Sequence, residues 1–207
     1  MHSRFHRGER ATVTAIVLAS SSKIRRQLLA NAGVSVSLVE HEVDEAEVKA
    51  EAGNDPRRIA RLLAEAKAAS VAAKRKQSVV IGADQVLELD GRIFNKPSDL
   101  EDARKQLAAL AGKAHELHTA FAIVHGEKRV TAQLRSARLT MRKLNDADID
   151  WYLARVGDDA LTTVGAYQIE GIGLRLFERI EGDYFTILGL PMISLLTELR
   201  RIGALEP

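Results

Sequence analysis

"TVTAIVLASSSKIRRQLL", Thr12 to Leu29, joins two periodicities without a linker. Thr12 to Ser20 is rich in β-branched residues and reads as a strand, after which Ile24, Leu28 and Leu29 supply the apolar stripe of a short helix that Gly33 stops. A strand that turns straight into a helix is the unit of an α/β protein. The corner itself carries Ser20, Ser21 and Ser22 beside Lys23, Arg25 and Arg26. Hydroxyls and backbone N–H groups at a helix N-terminus attract anions, and Arg25 adds a guanidinium able to grip one with two hydrogen bonds. Taken alone, the corner fits a serine N-cap followed by solvated cations better than a binding site.

Outward from that unit, "VSVSLVEHEV" (Val34 to Val43) alternates apolar and polar residues, the pattern of a half-buried strand, and runs into Glu40, Glu42, Asp44 and Glu45. Asp55 and Pro56 open a second helix with Ile59, Leu62, Leu63 and Ala66 at helical spacing, reaching about Lys74. "SVVIGAD" (Ser78 to Asp84) reads as a short strand ending in Gly and Asp, a common place for a site, with a hairpin turn at Asp90 and Gly91. Ser98 and Glu101 form a capping box ahead of Leu100, Ala103, Leu107 and Leu110. Two long strands follow around His115 to Val124 and Arg129 to Met141, then a helix capped by Asn145 or Asp146. The glycine-rich stretch from Thr162 to Pro191 reads as turns and short strands, and Pro191 opens a last amphipathic helix. Interleaved strands and helices predict an α/β fold with a mixed central sheet and flanking helices.

The 207 residues suffice for one sizeable core. Residues 1–10 read as a disordered extension, and 11–207 as one substantial domain or two small lobes sharing a cleft. Thr12 and Thr14 interrupt the apolar run and arginines follow it, which argues against a signal peptide, and no apolar run approaches the roughly 18 residues of a membrane span. With no cysteine there are no disulfides, thiolate zinc sites or cysteine nucleophiles, and the cytoplasm is the expected compartment. Lys plus Arg number 30 against 28 for Asp plus Glu, and aromatics are 4%, so neither a broad basic face nor a stacking platform for nucleic acid is expected.

The sequence lacks G-x-x-x-x-G-K-[ST], H-E-x-x-H and G-x-S-x-G, and "GIG" lacks the third glycine of a dinucleotide fingerprint. His115 and His118 on a strand would face opposite sides, which argues against a shared metal. Lys67 lies at the edge of the second helix's apolar face, and Lys96 is held extended by Pro97. Glu45 and Asp84, each following a predicted strand, could bind one hard divalent cation through oxygen. A cationic corner, separated lysines and two carboxylates are what hydrolysis of a polyphosphate requires.

Those residues, in order, resemble the Maf-type nucleoside triphosphate pyrophosphatases. The likeness rests on "LASSSKIRRQLL", "VDE" at Val43 to Glu45, "EAKAAS" around Lys67, "IGADQV", "DGRIFNKP", "LAGKAHELHTAFAIV" and "VGAYQIEGIGLRLFERIEGDYFTILGLP". It implies two lobes around a cleft, often in a homodimer, and cleavage of a nucleoside triphosphate between its α and β phosphates with Mg²⁺ or Mn²⁺. It also implies Asp84 as proton acceptor and metal ligand, Glu45 as its assistant, and Ser20, Ser22, Arg25, Lys67 and Lys96 as holders of the triphosphate.

Two departures bear on the base. Ile24 replaces an arginine that the dTTP and UTP branch looks to carry, and Glu170 in "QIEG", with Gln85 in "ADQV", looks like the 7-methyl-GTP branch. A carboxylate at position 170 accepts the N–H donors of a guanine edge and favours a methylated, positive N7, whereas thymine or uracil presents carbonyl oxygens flanking its single N–H. The expected substrate is therefore 7-methyl-GTP, with dTTP, UTP or broad tolerance as the alternative within the family and a non-catalytic nucleotide-binding regulator of cell division as the alternative outside it.

Overall fold

The computed structural model describes residues 15–206. The expected extension over 1–10, the domain start at 11 and the Thr12–Thr14 part of the first strand fall outside that range. Within it, β1 (Ile16–Ala19) runs into α1 (Lys23–Asn31), capped by Ser22. Chain order then gives β2 (Ser37–Leu38), α2 (Glu45–Ala52), α3 (Pro56–Ala72), β3 (Val79–Leu89), β4 (Arg92–Phe94), α4 (Leu100–Leu110), β5 (Ala114–His125), β6 (Lys128–Met141) and α5 (Asp146–Val156). Three short 3-10 helices, β7 (Phe177–Glu181), α6 (Tyr184–Ile187) and α7 (Met192–Arg201) complete it.

The strands form one seven-stranded sheet in the order β2-β1-β3-β5-β6-β7, with β4 also on β3. β1 is parallel to β2 and β3, while the remaining pairs are antiparallel, so the sheet is mixed as expected. One face packs Leu18, Ile81, Leu107, Phe121 and Tyr152 into the larger core, and the other packs Val17, Val80 and Ala122 against α3.

One interruption in this sheet places the site. β3 keeps β5 as its partner from Val79 to Glu88. On its other edge the partner changes: β1 pairs as far as Gly82, and β4 takes over at Leu87. Among the described residues, Ala83 to Val86 therefore have no strand beside them on that edge.

α3 closes one side of this gap. Asp55 accepts from the N–H groups of Arg57 and Arg58, and Pro56 opens the first turn. Ile59, Leu63 and Val71 recur every fourth residue on its buried face, and Lys67 stands in the same stripe, only 6% exposed. α3 approaches β3 closely because Gly82 has no side chain. A Cβ there would lie 2.2 Å from Ala64 O and 2.6 Å from Ala68 N.

Several local readings are corrected. The strand expected over Val34–Val43 shrinks to Ser37–Leu38, and Glu45 begins a helix, with Asp44 accepting from Ala46 N and Glu47 N as its cap. β3 does not end at Gly82-Asp84 but continues to Leu89, so Asp84 projects from within a strand. The cap of α4 is Asp99, not Ser98; its carboxylate accepts from Asp102 N at 2.8 Å. The glycine-rich segment holds 3-10 turns and the short helix α6, with β7 its one strand among the described residues. The hairpin at Asp90-Gly91 holds, both residues taking left-handed backbone (φ 51° and 82°) as a two-residue turn requires.

Candidate active site

The interrupted edge of β3 opens into a cavity of about 470 Å³, and all nine site residues named from the sequence line it: Ser20, Ser22, Arg25, Glu45, Lys67, Asp84, Gln85, Lys96 and Glu170. Its centre is an ion cluster. Lys67 Nζ lies 2.6 Å from Asp84 Oδ1 and 2.7 Å from Glu45 Oε1. Asp84 is 8% exposed, and a buried carboxyl without a polar partner would be costly; Lys67 is that partner. Burial pushes the Glu45 carboxyl up, but the hydrogen bond and charge of Lys67, helped by Lys49 and His41, leave it below the ordinary glutamate range.

The serine corner is braced by Arg25. Ser22 Oγ accepts from Arg25 N at 3.4 Å, and Ser20 Oγ accepts from Ser22 N at 3.2 Å. The Arg25 side chain donates from Nε to Gly189 O (2.8 Å) and from one terminal nitrogen to Ala83 O (2.9 Å) and Ser20 Oγ (3.3 Å). The bidentate grip expected of this guanidinium is thus partly engaged in tying α1 to the open edge of β3 and to the segment before α7. Burial lowers the Arg25 pKa, against the pull of Asp84 and Glu45. Lys96 is also held below the usual lysine range, by burial first and then by the charges of Arg25 and Lys67. Three cations crowded in one cleft are relieved by anything that brings negative charge.

Gln85 points to the opposite side of β3 from Asp84. Its amide nitrogen lies within 3.0 Å of Thr119 Oγ1, Thr186 O and Ile187 O, so it anchors α6 to the sheet at the cleft wall. Glu170 is exposed on the rim, in the turn between two 3-10 helices. That turn is held where Gln168 N donates to Tyr152 Oη at 3.2 Å and the Gln168 amide reaches Asp159 O and Thr162 Oγ1, each at 3.3 Å.

The sequence reading missed His41 and Lys49, which also line the cavity. His41 Nδ1 accepts from Val43 N at 3.4 Å, which places the proton of the neutral ring on Nε2. Burial and then Lys67 lower its pKa. Lys49 sits on α2, one turn after Glu45, with Nζ 3.9 Å from Glu45 Oε2 and 3.1 Å from Asn95 Oδ1. His115 and His118 do face opposite sides, His115 toward Tyr167 and His118 toward Ser136. Among the described residues no group of three or more His, Cys, Asp or Glu forms a metal cage, and no helix is long and apolar enough to cross a membrane.

A mixed sheet whose broken edge gathers Arg25, Lys67 and Lys96 around two carboxylates defines an α/β protein with an anion-receiving cleft. The chain belongs to the Maf-like protein family, whose model matches residues 15–202. It is 49% identical to the 7-methyl-GTP pyrophosphatase of Brucella abortus, over 90% of this chain and 95% of that one. It is 48% identical to the nucleoside triphosphate pyrophosphatase of Bradyrhizobium diazoefficiens, over 89% of this chain and 92% of that one. A solved nucleoside-triphosphatase / dITP/XTP pyrophosphatase from Mycobacterium abscessus superposes with a TM-score of 0.42 at 16% identity, covering 94% of this chain and 98% of its own, an overlap too loose to carry weight.

Proposed function

We propose that this chain is a nucleoside triphosphate pyrophosphatase that cleaves the α–β phosphoanhydride of a modified purine nucleotide, 7-methyl-GTP first, to a nucleoside monophosphate and pyrophosphate. The observation that carries the proposal is Lys67 held between Glu45 and Asp84 in a cleft that also gathers Arg25 and Lys96. Relatives named for both the 7-methyl-GTP and the general activity support it.

In this reading the serine corner, Arg25, Lys67 and Lys96 receive the triphosphate and offset its charge. Asp84 takes the proton of the attacking water, with Glu45 assisting; the new P–O bond forms as the bridging P–O bond breaks, and pyrophosphate leaves. Oxygens of Glu45 and Asp84 both lie against Lys67 Nζ, at 2.7 and 2.6 Å, and two neighbouring carboxylates are the donor type a hard cation takes, its shell completed by phosphate and water. Mg²⁺ or Mn²⁺ bound by these two residues would polarise the phosphate oxygens and stabilise the charge that develops on them. Glu170 accepts from the N–H groups of a guanine edge, and Gln85 acts by holding the cleft wall. The same reading takes a free nucleotide rather than nucleic acid as partner, the cytoplasm as compartment, a homodimer as the working form and residues 11–207 as one domain.

The test is pyrophosphate release, with Mg²⁺ or Mn²⁺, from 7-methyl-GTP, GTP, dTTP, UTP and CTP by the native protein and by Asp84→Asn. Turnover of 7-methyl-GTP that Asp84→Asn abolishes while nucleotide still binds is expected. Preference for dTTP or UTP would overturn the base assignment, and activity surviving in Asp84→Asn would overturn the mechanism.

A further inference from the structure

His115 is a titratable side chain that the proposed hydrolysis does not use, yet it lies 1% exposed in the larger core. Its Nε2 is 2.8 Å from Tyr167 Oη, and its Nδ1 is the buried side-chain atom left without a partner among the described residues. Leaving such an atom unpaired is costly, and phenylalanine would fill similar space without it. What the imidazole supplies that phenylalanine would not is the bond to Tyr167.

Tyr167 is tied to its surroundings from three directions. Its hydroxyl meets His115, its carbonyl accepts from Thr163 Oγ1 at 2.9 Å, and its ring meets Phe177 edge-on with centroids 4.8 Å apart. It lines the cavity and stands three residues before Glu170. The backbone entering it is left-handed at Gly165 (φ 78°) and at Ala166 (φ 61°), where a side chain makes that conformation unfavourable. A non-glycine residue stays there only when its neighbours hold it, and a Cβ on Gly165 would meet the Tyr167 ring at 2.8 Å. The hydroxyl bond is the polar contact that fixes how far this ring reaches into the sheet.

We infer that His115 is a positioning residue for base recognition: through Tyr167 it sets the turn that carries Glu170, and so governs which base is accepted without touching the nucleotide. This rests on the reading of Glu170 as the base contact. The phosphate end is anchored separately, on α1, α3, β3 and the segment after β4.

The test uses His115→Phe, Tyr167→Phe, the double variant and His115→Gln, which keeps a polar partner for the tyrosine. KM and kcat are measured for 7-methyl-GTP and UTP, with the inhibition constant of inorganic pyrophosphate. Loss of one buried hydrogen bond predicts a KM for 7-methyl-GTP raised about tenfold in either single phenylalanine variant, with kcat and pyrophosphate inhibition little changed. The double variant should be no worse than either single one, and His115→Gln should recover part of the loss. An unchanged ratio between the two nucleotides, additive effects or an equal loss of pyrophosphate affinity would overturn the inference. If the native protein hydrolyses neither nucleotide, the hydrolytic reading fails, and dissociation constants for α,β-methylene analogues decide the inference separately. Discrimination lost in His115→Phe upholds it; discrimination kept, or no nucleotide bound at all, overturns it.

Discussion

Lys67 meets Asp84 at 2.6 Å because Gly82, two residues before Asp84 on the same face of β3, lets α3 settle against the strand. Ala64 and Ala68, on either side of Lys67 along α3, are the residues that a Cβ at position 82 would strike. Gly82→Ala must therefore push the helix away and carry Lys67 with it. The expected cost is about 2 kcal/mol of stability, typical of an overpacked core, with at least about a tenfold loss of pyrophosphate release. Urea unfolding and a turnover assay on the same sample check both, and a variant matching the native protein in each would refute the account.

Lys67→Met removes the shared counter-ion and leaves Asp84 buried with an unpaired charge. Breaking a buried pair from one side typically costs about 3 kcal/mol or more, and adding Asp84→Asn should return part of it because the stranded charge is gone. Denaturant midpoints of the two single variants and the double variant give the coupling. Additive losses would mean that the pair contributes nothing to the fold.

Glu170→Gln replaces a pure acceptor with a group that can also donate to a pyrimidine carbonyl. The ratio of kcat/KM for 7-methyl-GTP over UTP should fall by about tenfold or more, mainly through loss on the purine side. A ratio that does not move would place base choice elsewhere in the cleft.

Acid should weaken the fold through His115. Burial lowers its pKa to about 4, below the ordinary histidine value of 6.5. Between these values the unfolded chain takes up a proton that the native ring refuses, so stability falls as pH drops through the window and is fully present only above it. The total loss is about 3 kcal/mol by linkage. Unfolding free energies followed from neutral pH to about pH 4 should show a shallower slope in His115→Phe; identical slopes would remove His115 as the cause.

What was legible in the sequence was local chemistry. The Asp55-Pro56 cap, the Asp90-Gly91 turn and the strand-to-helix corner each state their geometry within a few residues, and all three hold. The strand expected over Val34–Val43 fails because alternation says only that one side could be buried; after Leu38 the chain leaves the sheet. α2 was illegible for the opposite reason. It buries only Ala52, so it has no apolar stripe and depends on Asp44 and on good helix formers. Within the site, residue types pointed to the members, but their meeting is tertiary. Lys67 reads as the margin of a helix face until Gly82 brings β3 within reach. His41 and Lys49 lie in charged runs where nothing local distinguishes them, and the pairing of His115 with Tyr167 spans 52 residues.

The missing neighbour along Ala83 to Val86 also bears on how this sheet avoids other sheets. A bare strand edge ordinarily invites a foreign strand, with aggregation as the result. Here the bare interval is only four residues long, stopped at one end by β1 and at the other by β4, and Arg25 already occupies the Ala83 carbonyl. An intruding strand would find its register blocked in both directions and a guanidinium in place of an open acceptor. The opening is wide enough for a small anion and too short to template a fibril.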